Sequence, residues 1–235
     1  GNIDREKLIN DALFSTVQAN YFIQNYRVVT QLPNTPGLSA TIFSNDATGE
    51  TFLAIRGTEI TDPSDLFVGL SLATFGTTVL QPQYASLKTQ VQAWLSDGTL
   101  PQTFTVTGHS LGGFLAMGLA NDPVFAANVS HAYLYNAPGM GGIVGSFADM
   151  LLGFMGLSST GDFTKISIIE AATGASPIAG LGFDAAPPVD IIIEDQTQIS
   201  GSSPSKNHSQ QTFDTFGNAQ QNISQNYSSA WRLAA

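Results

Sequence analysis

The stretch TFTVTGHSLGGFLAMGLA, residues 103–120, constrains this chain more than any other part of it. β-Branched residues run into Gly-His-Ser-Leu-Gly-Gly, and an apolar, alanine-rich segment follows. The pattern predicts a strand over 103–108, a tight turn, and a helix over 111–122. Ser110 stands at the apex of the turn. A strand and a helix joined so abruptly nearly touch, and glycines two residues before and after the serine, Gly108 and Gly112, clear that contact. A hydroxyl held there is a candidate nucleophile. The start of the following helix sets free amides and the positive end of the helix dipole beside its oxygen.

A serine hydroxyl reacts poorly without a base to take its proton. The chain has three histidines. His109 belongs to the turn itself. His131 falls within VSHAYLYNAPG (129–139), a predicted strand, and reads as a packed strand histidine. His208, in SPSKNHSQQTF, lies in a polar loop beyond the last predicted strand. A base belongs there when the chain order is nucleophile, acid, histidine, so His208 is the candidate base.

Helices and strands alternate around this motif. DREKLINDALFSTVQANYFI (4–23) has helical spacing at Leu8, Ile9, Ala12, Leu13 and Val17. LSATIFSND (38–46) and TFLAIRG (51–57) read as strands joined by an Asp-Ala-Thr-Gly turn. QYASLKTQVQAWLSDG (83–98) is an amphipathic helix with a glycine stop. FTKISIIEA (163–171) and PVDIIIED (188–195) add two strands, and the tail over 209–235 reads as helical. The expected fold is α/β, a mostly parallel sheet with helices on both faces. DPSDLFVGLSLATFGTTVLQP (62–82) and GMGGIVGSFADMLLGFMGLSS (139–159) are apolar and glycine-punctuated. They read either as buried core or as lid-like insertions over a binding site.

Composition narrows the partners. At 235 residues the chain is expected to form a single domain, 1–235, and its abrupt start at Gly1 is read as a mature product or a piece of a longer secreted protein. Charged residues make up 11%, against roughly 25% in an average soluble domain. Eighteen acidic and eight basic side chains leave a net charge of −10, a field that repels nucleic-acid phosphates and anionic headgroups. No nucleic-acid partner is expected, and affinity for a lipid surface has to come from apolar contact. With no cysteine there is neither a disulfide nor a thiolate metal ligand, and the longest apolar stretches are broken by Gly, Ser or Asp, so no transmembrane segment is expected.

In several motifs together the chain resembles the class 3 lipase-like group of α/β-hydrolases. FLAIRGTEITDPSDL matches that group's strand, Arg-Gly-Thr/Ser turn and acidic stretch; VTGHSLGG matches its elbow, YLYNAPG its next strand and NHS its histidine loop. The resemblance spans roughly residues 38–215, and the Arg-Gly-Thr turn makes it more specific than the elbow alone. It implies an α/β-hydrolase fold and a serine hydrolase of carboxylic esters of lipids, either a triacylglycerol lipase or a phospholipase A1, working through an acyl-enzyme on Ser110. It also implies an oxyanion hole built from the Leu111 amide and from Thr58. A short-chain or polyester esterase would use the same machinery, and a catalytically silent lipid- or partner-binding module is the reading from another class.

The acid departs from the group's pattern. An aspartate followed by proline is expected after the strand matching 165–171, and Ser176 stands in its place. Glu170, at the end of that strand, and Asp195, closing the next one, are the candidates, with Asp184 a third. No cofactor is expected. Calcium occurs in some related secreted lipases, but no ligand cluster here demands it. Composition fits a secreted bacterial protein, and the oligomeric state is open.

Overall fold

The computed structural model describes residues 3–10, 14, 16–35, 37–56, 76–135, 137, 153, 155–157, 164–171 and 189–191. Their elements run α1 (Arg5–Asn10), α2 (Thr16–Asn25), β1 (Tyr26–Thr35), β2 (Leu38–Asn45), β3 (Thr51–Arg56), a π-helical turn (Gly76–Leu80), α3 (Gln81–Asp97), β4 (Phe104–His109), α4 (Leu111–Asn121), β5 (Val129–Tyr135), β6 (Ile166–Ala171) and β7 (Val189–Ile191).

The seven described strands form one sheet in sequence order. β2 runs antiparallel to both β1 and β3, and from β3 to β7 every pairing is parallel. Local chemistry explains the connections. The β2–β3 turn closes because Asn45 Oδ1 accepts the amides of Ala47 and Thr48, while Gly49 takes the left-handed φ of 75°. α3 stops at Gly98, also left-handed at φ 80°.

Side chains alternate between the two faces of the sheet. One face gathers Ile42, Leu53, Ile55, Val106 and Leu134 beneath α3 and α4. The other packs Phe43, Phe52 and Ala54 beneath α2, where Phe22 stacks on Tyr26 at 5.1 Å between ring centroids and meets Phe43 edge-on at 5.5 Å. α4 is apolar all round, and every residue from Leu111 to Ala120 is buried, as befits a helix at the centre of a core. Gly118 lets the Tyr84 ring and the Met155 thioether close on it, since a Cβ there would lie 2.9 Å and 3.0 Å from them.

Several expectations change. The helix over 4–23 is two described helices, and Val17, expected on the apolar face, is 73% exposed. β1 is not among the expected strands: Pro33 and Asn34 disfavour one, and they fall in a register irregularity between the Leu32–Ala40 and Thr35–Leu38 pairs, which an edge strand tolerates. α3 starts two residues early because Pro82 suits a first helical turn. At the far ends of the two lid-like insertions Leu80 is fully buried and Met155 is 7% exposed, while Thr78, Gln81 and Gly153 are exposed; the rest of each insertion lies outside the described residues.

Candidate active site

The turn between β4 and α4 is built as its sequence requires. Ser110 has φ 54° and ψ −125°, the one positive φ among described non-glycine residues. A backbone held there costs of order 1–3 kcal/mol. Packing enforces it: a Cβ on Gly108 would sit 2.3 Å from the Gly112 carbonyl oxygen, and one on Gly113 would sit 2.7 Å from Ala137 Cβ. Gly113 is thus as confined as Gly108, a constraint the spacing of the pentapeptide alone does not reveal. The Ser110 amide donates to the Tyr135 carbonyl at 2.9 Å, and the Ser110 carbonyl accepts from the Phe114 amide at 3.2 Å.

Ser110 occupies the N-cap position of α4, but its hydroxyl makes no capping hydrogen bond. Serine is among the best capping residues, so leaving the oxygen unspent on the helix is informative. Ser110 is half-buried, and Leu111 behind it is buried. As the first residue of α4, Leu111 has an amide with no partner in the helix ladder, at the positive end of the dipole. A developing negative charge beside Ser110 meets such groups without any rearrangement.

The sheet register aligns the neighbouring strand ends with this turn. Arg56 closes β3 opposite His109, and Tyr135 closes β5 opposite the same residue. Ile169 pairs with Tyr135, so Glu170 is one step beyond that level on β6, as Ser110 is one step beyond it on β4. Glu170 in turn pairs with Asp190 of β7. Ser110 and Leu111 are therefore together at the elbow, and the Glu170 backbone is on the same sheet edge. Thr58, His208, Asp195, Asp184 and Ser176 lie outside the described residues.

His131 is a packed strand histidine. Its Nε2 lies 2.8 Å from Ser167 Oγ on β6, and burial holds its imidazole below the usual range. No group of three or more His, Asp or Glu residues arranged to hold a metal ion occurs among the described residues, and none of their helices is long and apolar enough to cross a membrane.

At the far end of α4 is a polar cluster that no motif announced. Asp122, 1% exposed, accepts hydrogen bonds from the Tyr84 hydroxyl at 2.9 Å, the Val124 amide at 2.9 Å and Lys88 Nζ at 2.7 Å. Burial alone would push its carboxyl up, but these bonds and the Lys88 charge together hold it below the usual carboxylate range. Burial and the Asp122 charge push the Tyr84 hydroxyl far up, so it stays a donor. The cluster ties α4 to α3. Helical spacing of Tyr84 and Lys88 was its only trace in the sequence.

No family model and no curated protein matches the sequence. Solved structures similar to the chain include the Lip2 lipase from Yarrowia lipolytica, at 18% identity over 74% of this chain and 68% of that one, with a TM-score of 0.43. A mutant form of MDLA from Penicillium cyclopium is similar at 17% identity over 78% and 70%, with a TM-score of 0.40. A fungal lipase is similar at 16% identity over 75% and 67%, with a TM-score of 0.41. By its own architecture, a sequentially ordered and mostly parallel sheet with helices on both faces and a strained serine at a central strand-to-helix turn, the chain has an α/β-hydrolase fold.

Proposed function

We propose that the chain is a serine hydrolase of carboxylic esters of lipids. The observation that carries this reading is Ser110: a strained backbone, enforced by the Gly108 and Gly113 contacts, at a helix start whose N-cap hydroxyl does not cap the helix. A purely structural turn would relax that strain with glycine or use the hydroxyl as a cap.

In this mechanism His208 takes the Ser110 proton as the oxygen attacks the ester carbonyl carbon. The Leu111 amide and Thr58 hold the resulting oxyanion. Thr58 follows Arg56 by two residues, and the pairing of Arg56 with His109 supports its reaching the elbow. Collapse expels the alcohol, protonated by His208, and leaves an acyl-enzyme. His208 then activates water, and the acid product leaves. Glu170 or Asp195 orients His208. The place of Glu170 favours it, on the carboxyl edge two strands from β4, about 10 Å away. An imidazole between the two strand ends bridges such a span.

Lipid substrates rather than small esters are favoured by the apolar insertions, whose far ends pack in the core at Leu80 and Met155. The test is hydrolysis of chromogenic esters from short to long acyl chains by the native chain and by Ser110→Ala. Activity on long chains that vanishes in the variant supports the reading. A steep short-chain preference replaces lipid esters with small ones. A folded native chain that neither turns over an ester nor reacts with an active-serine phosphonate overturns it in favour of a silent binding module.

A further inference from the structure

A parallel sheet covered on both faces is expected to be apolar on both. The face beneath α3 and α4 conforms, with Val106, Ala132, Leu134, Ile166 and Ile168 in its core. The opposite face does not. Over β4, β5 and β6 it carries Thr105, Thr107, His131, Tyr133 and Ser167, and turns apolar only toward the elbow, at the buried Tyr135 and Ile169.

Above this polar face lies a cavity of about 290 Å³. Its floor is a row in register, Phe52 on β3, Thr105 on β4 and His131 on β5, with Tyr133 beyond. Tyr21 of α2 and Tyr26 add aromatic surface, and Asn45, Thr48 and Glu50 of the β2–β3 turn form a polar rim. That volume holds about ten waters, and it is small for a ligand pocket.

The lining chooses among ligands by its chemistry. Among the described residues no lysine or arginine lines the cavity and the one charge is the Glu50 carboxylate, so an anion finds no partner in this lining. The Thr105 and Ser130 hydroxyls bond each other at 3.3 Å and Ser130 also donates to the Phe104 carbonyl, so what they offer a ligand is acceptor lone pairs; an acyl chain would leave these and the free edge of the His131 ring without a partner. A ring with both C–H faces and hydroxyl groups uses both sets of groups: the aromatic surfaces cover its faces, while hydroxyl, amide and imidazole groups give and accept hydrogen bonds. Ser167 fixes the His131 ring through Nε2.

We infer that this cavity is a non-catalytic site for a neutral polyhydroxylated ligand of monosaccharide size, a sugar unit held against the sheet face. Along β4 it is five residues from Ser110, about 16 Å, so its ligand does not enter the reaction at the elbow. The inference stands apart from the ester-hydrolase reading and has its own readout.

The test is binding of glucose, galactose, mannose and N-acetylglucosamine to the full chain by saturation-transfer NMR and calorimetry, with tetramethylammonium as the competing class. Two variants accompany it: Tyr21→Ala, at a side chain 40% exposed, and Thr105→Val, which keeps the floor's shape. Circular dichroism checks that both fold. The expected result is saturable binding of at least one sugar, weakened about tenfold in each variant, with short-ester turnover equal to that of the native chain. Absence of saturable sugar binding, binding of tetramethylammonium alone, or sugar affinity that survives either substitution overturns the inference.

Discussion

The backbone amide of Ser110 donates to the carbonyl of Tyr135 at 2.9 Å, so the elbow is tied to the neighbouring strand as well as to its own. Two residues on from Tyr135, Ala137 fills the space that a side chain at Gly113 would need. The serine is thus positioned by β4 before it, α4 after it and β5 beside it. None of the three can shift without moving the candidate nucleophile.

Gly108→Ala is expected to destabilise the protein by about 3 kcal/mol or more, because its Cβ would lie 2.3 Å and 2.4 Å from backbone atoms of Gly112 that cannot swing away. Gly98→Ala provides the contrast. No atom lies within 4 Å of its new Cβ, so its cost is the left-handed φ of 80° alone, about 1 kcal/mol. Chemical denaturation of both variants checks the difference. Equal losses would mean that crowding at the elbow is not what fixes the turn.

Ser110→Gly should raise stability while ending hydrolysis. Glycine adopts φ 54° freely, relieving a strain of order 1–3 kcal/mol, and its extra unfolded-state freedom returns about 0.5–1 of that. A net gain of about 1 kcal/mol raises Tm by about 2–4 °C in a chain of this size. Calorimetry of the variant decides it. A lower Tm would show that the serine backbone is not strained in solution.

The Asp122 cluster predicts an acid-sensitive clamp on α4. The ordinary carboxyl value is 3.8, and the folded one is lower. A depressed folded pKa contributes stability that is present above 3.8 and lost as pH falls from there through the folded value. Asp122→Asn, which cannot titrate, should flatten that part of the stability–pH profile below about pH 4. Asp122→Ala should cost about 3 kcal/mol at neutral pH by leaving Tyr84 and Lys88 without their acceptor. Urea denaturation from pH 2.5 to 7 measures both. A variant profile parallel to that of the native chain would place the acid sensitivity elsewhere.

The elbow was legible because sterics leave few residues that fit it, and glycines flanking a serine between a β-branched run and an alanine-rich run are a local signal. The helix over Gln81–Asp97 and the strands over Leu38–Asn45 and Thr51–Arg56 were legible from periodicity and their glycine turns. β1 was not, because Pro33 and Asn34 interrupt its strand pattern and only a bulge in its pairing with β2 accommodates them. The bond from Ser110 to Tyr135, the fit of Ala137 against Gly113 and the grip of Tyr84 and Lys88 on Asp122 join residues 24 or more positions apart. Such contacts leave no periodic trace. The polar face of β4–β6 was present in the text as alternating Thr105, Thr107, His131 and Tyr133, but alternation alone does not say which face is covered.

Glu170 and Asp195 compete for one role, and kinetics separates them. Glu170, the last residue but one of β6, is at the level of the elbow, two strands from Ser110, whereas Asp195 falls after β7 on the same stretch of chain that leads to His208. If Glu170 orients the base, Glu170→Gln lowers kcat by on the order of 10⁴ with KM little changed, since an amide there favours the wrong tautomer of His208. Asp195→Asn then changes kcat less than tenfold. The reverse pattern assigns the role to Asp195. The measurement is steady-state hydrolysis of one ester by both variants, with phosphonate labelling of Ser110 alongside. Labelling slowed in step with kcat shows that the lost carboxylate acts through activation of the serine, whereas unchanged labelling rules that carboxylate out as the partner of His208.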